Sequence, residues 1–576
     1  MRLCVFGVLL LLAADTAAAQ DPAREARMTW WREARFGLMM HWGLYALPAN
    51  EWRGLEKEMD LWAEWIMYRA RIPVAEYEPL ARRFNPVKFD ARAWAGLARR
   101  SGMRYMVITA KHCDGFAMFR SAVSTYNIVD ATPFRRDPMS ELAVACQREG
   151  VPLGFYYSHS WDWHEPDALG KDNYWDFPDT AHKDPERYLR SKSLPQVAEI
   201  ANQYHPAVLF FDVPSQITRE QTQRFVDVAR HAVPNCIIND RVGNGLGDYL
   251  TPEQFIPLQP VKGDFEVCMT LNDHWGFDRN DHNWKPAPVV IRNLVQTVSM
   301  GGNYLLNVGP NAEGEFPPEA VRTLTRVGQW MDLNGESIYG TTACPLGPLA
   351  WGYCTAKPHR LYLHVFEWPA RGRLLVPGLR NRIQRAWLLA GPKRQALQTQ
   401  SLDSLDLEIA LPARAPDAID SVIVLETDGD PSTDPTQVVF AQPGCKNVFG
   451  AASAVIHGKG ARYQGRSLTE RQYDLIGSWS DAATFLGWSF RAVHPGSYQV
   501  VVTYSAESGA NEILVAVGPH TLHARVEATG AGRFETFMLG TVELQPGAYE
   551  LAIKADKLVP GTRLLNFHAI SLLPVP

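Results

Sequence analysis

Two periodicities divide the chain. Between about Thr29 and Tyr339, short apolar runs alternate with segments whose apolar residues recur every three or four positions. The runs are "RFGLMMH" (Arg35–His41), "YMVITAKH" (Tyr105–His112), "PLGFYYS" (Pro152–Ser158), "VLFFD" (Val208–Asp212), "NCIIND" (Asn235–Asp240), "FEVCMT" (Phe265–Thr270) and "NYLLNVG" (Asn303–Gly309). Segments such as "ARAWAGLARRSG" and "TREQTQRFVDVARHAVP" lie between them and carry helical spacing. Strand–helix alternation of this kind predicts a parallel sheet. Seven or eight repeats over about 300 residues suit a (β/α)8-like barrel better than an open sheet.

Beyond Cys344 the helical period is lost. Residues 345–430 alternate instead, as in "RLYLHVFEW" and "DSVIVLETD", and predict a small antiparallel β-sandwich. "DGDPSTDPT" (Asp428–Thr436) reads as a polar linker. Residues 437–576, with strands such as "SYQVVVTYSA" and "YELAIKA", predict a second all-β, jelly-roll-like domain. At the other end, "MRLCVFGVLLLLAADTAAAQ" has a charged start, an apolar stretch and a small-residue cleavage pattern. The expected layout is therefore a leader at 1–19, a catalytic domain at 20–344, a β-sandwich at 345–430 and an all-β domain at 437–576. The leader predicts export to the periplasm or beyond. No later run reaches the roughly 20 apolar residues that a membrane span needs.

Polar residues end the apolar runs. His41, Lys111, His112, Tyr157, Ser158, Asp212, Asp240, Arg241 and Asn307 all stand at or near the C-terminal end of a run. A single such residue is a turn. Several sets from several strands converge on one face of a barrel, where barrel active sites lie. Asp212 is the sharpest case, because "HPAVLFFDVPS" delivers a carboxylate from a strand fit to be buried on both faces, and Pro214 then stops the strand.

Composition adds exclusions. The net charge of −5 offers no electrostatic case for nucleic acid or an anionic membrane. Eighteen tryptophans suit cores but also sugar sites, since the indole face matches the C–H face of a pyranose. Of the eight cysteines, Cys4 falls in the leader, and the rest are too scattered for a disulfide framework or a zinc site. One bridge is possible, Cys344 and Cys354 being the nearest pair, and buried free thiols are expected for most others. "HSWDWH" (His159–His164) has no standard metal spacing. In the last domain, Tyr463, Trp479, Trp488 and Tyr498 are core candidates before they are a sugar platform.

"RFGLMMHWGLYALPANEW", "YMVITAKHCDGFAMF", "VLFFD", "NDRVGN" and "GGNYLLNVGP" together resemble glycoside hydrolase family 29, the retaining α-L-fucosidases. The resemblance runs from about Thr29 to Pro345. It implies a barrel-like catalytic domain followed by a β-sandwich, no cofactor, no metal, and a fucosylated glycan or glycoside as substrate. It places the nucleophile on Asp212. Retaining hydrolysis needs a second carboxyl group as acid/base. "GDYLTPEQFIP" resembles the loop that carries it and points to Glu253, with Glu266 as the rival. The implied sugar pocket draws on His41, Glu51, Trp52, His112, Tyr157, Arg241, Trp275 and Phe277, with Glu266 there if it is not the acid. Two departures stand out: Cys113 replaces a family histidine in "KHCDGF", and Phe210 stands where the family often has Trp. The alternatives are a related retaining glycosidase for another sugar, or an inactive glycan-binding protein. Oligomeric state is not legible.

Overall fold

Seven parallel strands form one curved sheet. They are β1 (Phe36–Met40), β2 (Tyr105–Lys111), β3 (Leu153–Ser158), β4 (Val208–Asp212), β5 (Ile237–Ile238), β6 (Glu266–Thr270) and β7 (Asn303–Val308). Their order is β5-β4-β3-β2-β1-β7-β6 in the computed structural model, which describes residues 21–170, 173–257, 261–390, 394–442, 444–465 and 474–575. The expected leader, 1–19, lies outside the described residues. Every strand-like run of the sequence is a strand here. Between β5 and β6 the ladder is replaced by single parallel bridges: Asn239 with Tyr249, Leu250 with Phe265, and Glu253 with Cys268. An irregular segment, 249–253, thus stands where an eighth strand would.

The connecting helices begin where the sequence caps them. Asp90 accepts from Arg92 N and Ala93 N at 2.9 and 3.0 Å and starts the helix Ala91–Arg100. Asp137 does the same for Pro138–Glu149, and Thr218 and Gln221 form a reciprocal capping box on Arg219–Ala232. Their apolar faces pack on the outer side of the sheet with Met106, Ile108, Phe155, Leu209 and Phe211. The inner side is a separate cluster that includes Met39, Tyr105, Val107, Tyr156, Val208, Phe210, Cys268 and Leu305. Alternation along each strand divides the residues between these two cores. Gly37 is required on the inner side, because a Cβ there would lie 2.5 Å from the Tyr105 ring.

Helix α1 (Pro22–Ala34) closes the N-terminal end of the strands. Met28 and Trp31 join the inner cluster. Arg27 pairs with buried Asp248 at 2.7 Å, and Arg24 and Arg32 both reach Asp264 at 2.7 Å.

Downstream, a five-stranded and a three-stranded antiparallel sheet lie between Gly352 and Thr427, and two further sheets lie between Gln437 and Pro574. Cys344 and Cys354 form a disulfide, while Cys113, Cys146, Cys236 and Cys268 are buried free thiols. The first β block is fastened to the helix Pro318–Asn334: Trp330 Nε1 donates to Asp420 O at 3.3 Å, and buried His364 pairs with Asp420 Oδ2 at 2.7 Å. The segment after the linker is shared. Val438 and Phe440 fill the first β core, while Val439 between them fills the second. Arg491 grips Asp406 across the same junction at 2.8 and 3.0 Å. Trp479, Trp488 and Tyr498 are buried in the last core, leaving Tyr463 exposed. Among the described residues, no helix is long and apolar enough to cross a membrane.

Candidate functional site

A cavity of about 430 Å³ opens at the C-terminal ends of the strands. Its wall includes His41, Trp62, Glu64, Trp65, His112, Tyr156, Phe210, Asp212, Val213, Arg241, Glu253, Gln254, Cys268, Asp273, His274 and Trp275.

Asp212 is the last residue of β4 and faces inward, in phase with Phe210 two residues earlier. Tyr156 donates its hydroxyl to Asp212 Oδ2 at 2.9 Å, and Arg241 Nη1 donates to Oδ1 at 3.1 Å. Burial works against the Asp212 charge, but the guanidinium and the two hydrogen bonds outweigh it and hold the carboxyl below its usual pKa. The chain leaves β4 through Val213 at φ 52°, a costly conformation for a β-branched residue. Such strain is characteristic of functional sites, and here it turns the backbone away directly behind the carboxylate.

Arg241 follows β5 on the turn Asp240–Val242. Its Nε donates to Thr251 Oγ1 at 2.8 Å, and Nη2 donates to Thr251 O at 3.1 Å. Nη2 also lies 2.7 Å from Glu253 Oε2. One guanidinium therefore sits between two carboxylates. Glu253 belongs to the irregular segment that fills the place of an eighth strand. It is registered there by Cys268 N donating to Pro252 O and Gln254 N donating to Cys268 O, at 3.0 and 2.9 Å.

The remaining wall is aromatic and imidazole. His41 Nδ1 lies 2.8 Å from Asn307 Oδ1, and Asn307 Nδ2 donates to Trp275 O at 2.7 Å. The amide oxygen can only accept, so His41 carries its proton on Nδ1 and presents Nε2 as an acceptor. Burial pushes the pKa of His41 down to about 4 and that of His112 to about 3, so both rings are neutral. His112 stacks on Tyr156 at 5.3 Å, and His41 packs against Trp275 at 5.1 Å. Glu64 is buried in the wall and accepts from Gly276 N at 3.0 Å; burial raises its pKa. His274 is the cation of the rim. Burial opposes its charge, but Asp281 and Asp60, at 2.7 and 3.1 Å, raise its pKa to about 9.

The cavity brings together Asp212, Glu253, His41, His112, Arg241 and Trp275 of the residues expected from the sequence. The other five stand elsewhere. Tyr157 points out of the sheet, donates to Gln196 Oε1 at 2.9 Å and lies under Lys111 Nζ; its neighbour Tyr156 takes the inward place. Lys111 shares that outward side because the β2–β3 register shifts between Thr109 and Lys111, which leaves His112 facing in. Glu51 binds Asn280 Nδ2 at 2.9 Å and Arg279, outside the cavity wall. Trp52 is half-buried beside Arg53, also off the wall. Both give way to Glu64 and Trp65, a second Glu-Trp pair thirteen residues on. Phe277 packs on the outer core. Glu266 starts β6 at the closed end, buried, where Tyr105 donates to its Oε2. Burial raises its pKa to about 7, the value an acid would want, but it does not reach the cavity.

The two departures also have places. Cys113 is buried off the wall, its Sγ 3.0 Å from Ser158 Oγ, and Phe210 forms part of the wall beneath Arg241. In "HSWDWH", His159 meets Val242 O, Asp162 meets Lys111 and Lys192, and His164 meets Glu78, so the three side chains share no partner. Sequence reasoning passed over Tyr156, Glu64, Trp65, Trp62 and His274. The repeated Glu-Trp pair was a readable signal for two of them.

Residues 13–336 match the family model "Alpha-L-fucosidase". The plasma alpha-L-fucosidase of Rattus norvegicus is 31% identical over 65% of this chain and 87% of its own length. The alpha-L-fucosidase of Vibrio sp. strain EJY3 is similar over 96% of this chain and 98% of its own, with a TM-score of 0.80 and 28% identity. The alpha-L-fucosidase AlfC of Lactobacillus casei, solved in complex with its alpha-L-fucose product, covers 54% of this chain and 99% of its own. It is 41% identical, with a TM-score of 0.51.

Proposed function

The chain belongs to the α-L-fucosidases of glycoside hydrolase family 29, and we propose that it is an exported, exo-acting retaining enzyme working through Asp212 and Glu253. It is a hydrolase, and α-L-fucosidase activity on fucosylated glycans is the activity its relatives support. The proposed layout is a (β/α)8-like catalytic domain over 20–344, a β-sandwich over 345–430 and a jelly-roll-like domain over 437–576. The leader at 1–19 supports export.

The observation that carries the reading is the placing of Asp212 and Glu253 on the two Nη atoms of Arg241 inside one cavity. In the first step Asp212 attacks the anomeric carbon, and the bond to the leaving oxygen breaks as Glu253 gives that oxygen its proton. One cation faces two carboxylates, so the site carries a net negative charge until Glu253 takes up this proton. Attack then consumes the Asp212 charge in a covalent bond. Glu253, having given up its proton, is left as a carboxylate facing Arg241 alone. That carboxylate takes a proton from water in the second step, and the hydroxide equivalent releases the sugar. Tyr156, bonded to the atom that does not pair with Arg241, steadies the nucleophile. Neutral His41 can accept from a sugar hydroxyl at Nε2, neutral His112 can accept or donate, and Glu64 can accept from one.

A panel of aryl glycosides differing at C4 and C6 tests this. Turnover should be confined to the α-L-fucoside, and NMR should show α-L-fucose as the first anomer released. Preference for another sugar, or β-fucose appearing first, would defeat the reading.

A further inference from the structure

The wall of the cavity changes character at its rim. Its inner rings, His41, His112, Tyr156 and Phe210, are buried, and Trp65 and Trp275 are half-buried. Trp62 is the exception among the wall's rings: it lines the cavity and is still 42% exposed. Among the described tryptophans it is the one that is exposed.

The ring is held in place. Trp62 N donates to Asp60 Oδ1 at 3.1 Å, the same oxygen that receives Asn50 Nδ2. Asp60 Oδ2 lies 3.1 Å from His274 Nε2, and His274 is fixed in turn by Asp281. The backbone at Trp62 is left-handed, with φ 50°, so these contacts maintain a conformation that a tryptophan would not choose alone. Arg69 lies 4.2 Å from the ring centroid and covers one side, and the edge of Trp65 meets it at 6.2 Å and 84°. A ring backed by a cation and clamped through its backbone keeps accessible surface for something outside the cavity.

We propose that Trp62 forms the leaving-group subsite, stacking on the apolar C–H face of a neutral pyranose on the far side of the cleaved bond. This rests on the fucosidase reading. The fucose would occupy the buried imidazole end, and the released sugar the rim. A tryptophan face and a pyranose C–H face are complementary in size and polarity. Asp60 and His274 act as positioning residues for that ring.

The test uses the full chain with two substrates. α-L-Fucosyl fluoride has no ring in its leaving group; an α-L-fucosyl-N-acetylglucosamine disaccharide has one. Because kcat/KM reports only steps up to departure of the leaving group, it isolates contacts to that group. The ratio of kcat/KM on the disaccharide to that on the fluoride should fall on the order of tenfold in Trp62→Ala, the scale of one aromatic stack. Trp62→Phe should restore most of it. A ratio unchanged in Trp62→Ala, with both substrates equally impaired or equally spared, would overturn the proposal. A wild-type chain that turns over neither substrate would overturn the fucosidase reading itself, and the subsite with it.

Discussion

Tyr156 and Asp212 are joined by a hydrogen bond of 2.9 Å from the phenol to the carboxylate, on adjacent parallel strands with Tyr156 facing Phe210 in register. The preceding strand therefore supplies a donor to the oxygen that Arg241 leaves free. Tyr156→Phe should lower kcat about tenfold, the worth of a hydrogen bond to a charged group. Tyr157→Phe should keep kcat within about twofold but lower unfolding stability by about 1–3 kcal/mol, because it strips a partner from buried Gln196. The two variants, compared by kinetics and urea melts, should show opposite profiles; equal loss of activity would contradict the inward and outward placing.

Azide separates the two carboxylates by stereochemistry. In Asp212→Gly, azide would replace the nucleophile, attack opposite the leaving group and give β-fucosyl azide from an activated fucoside. In Glu253→Ala, the enzyme bond forms first, azide then attacks from the other face, and the product is α-fucosyl azide. Glu266→Ala should give neither. An α-azide from the Glu266 variant would move the acid to the N-terminal end of the sheet.

Glu64 and Glu51 offer a second paired comparison. Glu64 is buried in the cavity wall, whereas Glu51 pairs with Arg279 outside it. Glu64→Gln should cut kcat/KM by about tenfold, since it replaces a carboxyl of the site with an amide. Glu51→Gln should stay within about threefold, as befits an exposed ion pair. A larger effect at Glu51 would return the sugar contact to the first Glu-Trp pair.

The stability contributed by His41, His112 and His274 should be greatest near pH 6.5. His41 and His112 have native pKa values of about 4 and 3, below the unfolded value near 6.5. Below pH 6.5 the unfolded chain binds protons that the native chain refuses, so stability from these rings is lost as pH falls toward 4. His274 has a native pKa of about 9, so its contribution is complete below 6.5 and is lost as pH rises through 9. Melting temperature against pH checks this, with His274→Gln expected to flatten the alkaline side and His41→Gln to soften the acid side. An unaltered alkaline slope in His274→Gln would refute its assignment.

Period and strand-end chemistry made the seven strands, the mouth, Asp212, Arg241 and both histidines legible; Glu253 came only from the likeness of "GDYLTPEQFIP" to the acid-bearing loop of the family. Parity did not follow as easily. Tyr156 and Tyr157 are equivalent in an apolar run, and only the shared register with Phe210 and Asp212 tells inside from outside. The shift before Lys111 leaves no trace in composition, because a bulge is a matter of backbone pairing. Two Glu-Trp pairs in one loop region are indistinguishable by residue type; contact with Gly276 and the cavity decides between them. The linker reads as polar, which says nothing of the packing beyond it, where Val438 and Phe440 belong to the preceding core.

Helix α1 has one more implication, for the order in which the molecule can be completed. It is the earliest described element to be synthesised, but Asp248 and Asp264, which receive Arg27, Arg24 and Arg32, arrive more than 220 residues later. Until then Arg24, Arg27 and Arg32 have only the local partners Glu25 and Asp21, and the apolar side of the helix has no completed sheet to enter. Closing so long a loop is slow, and structures built on such distant pairings fold late. Helix α1 and the strand ends it covers should therefore be the last part of the catalytic unit to gain hydrogen-exchange protection during refolding, after the strands around Asp212 are already in register.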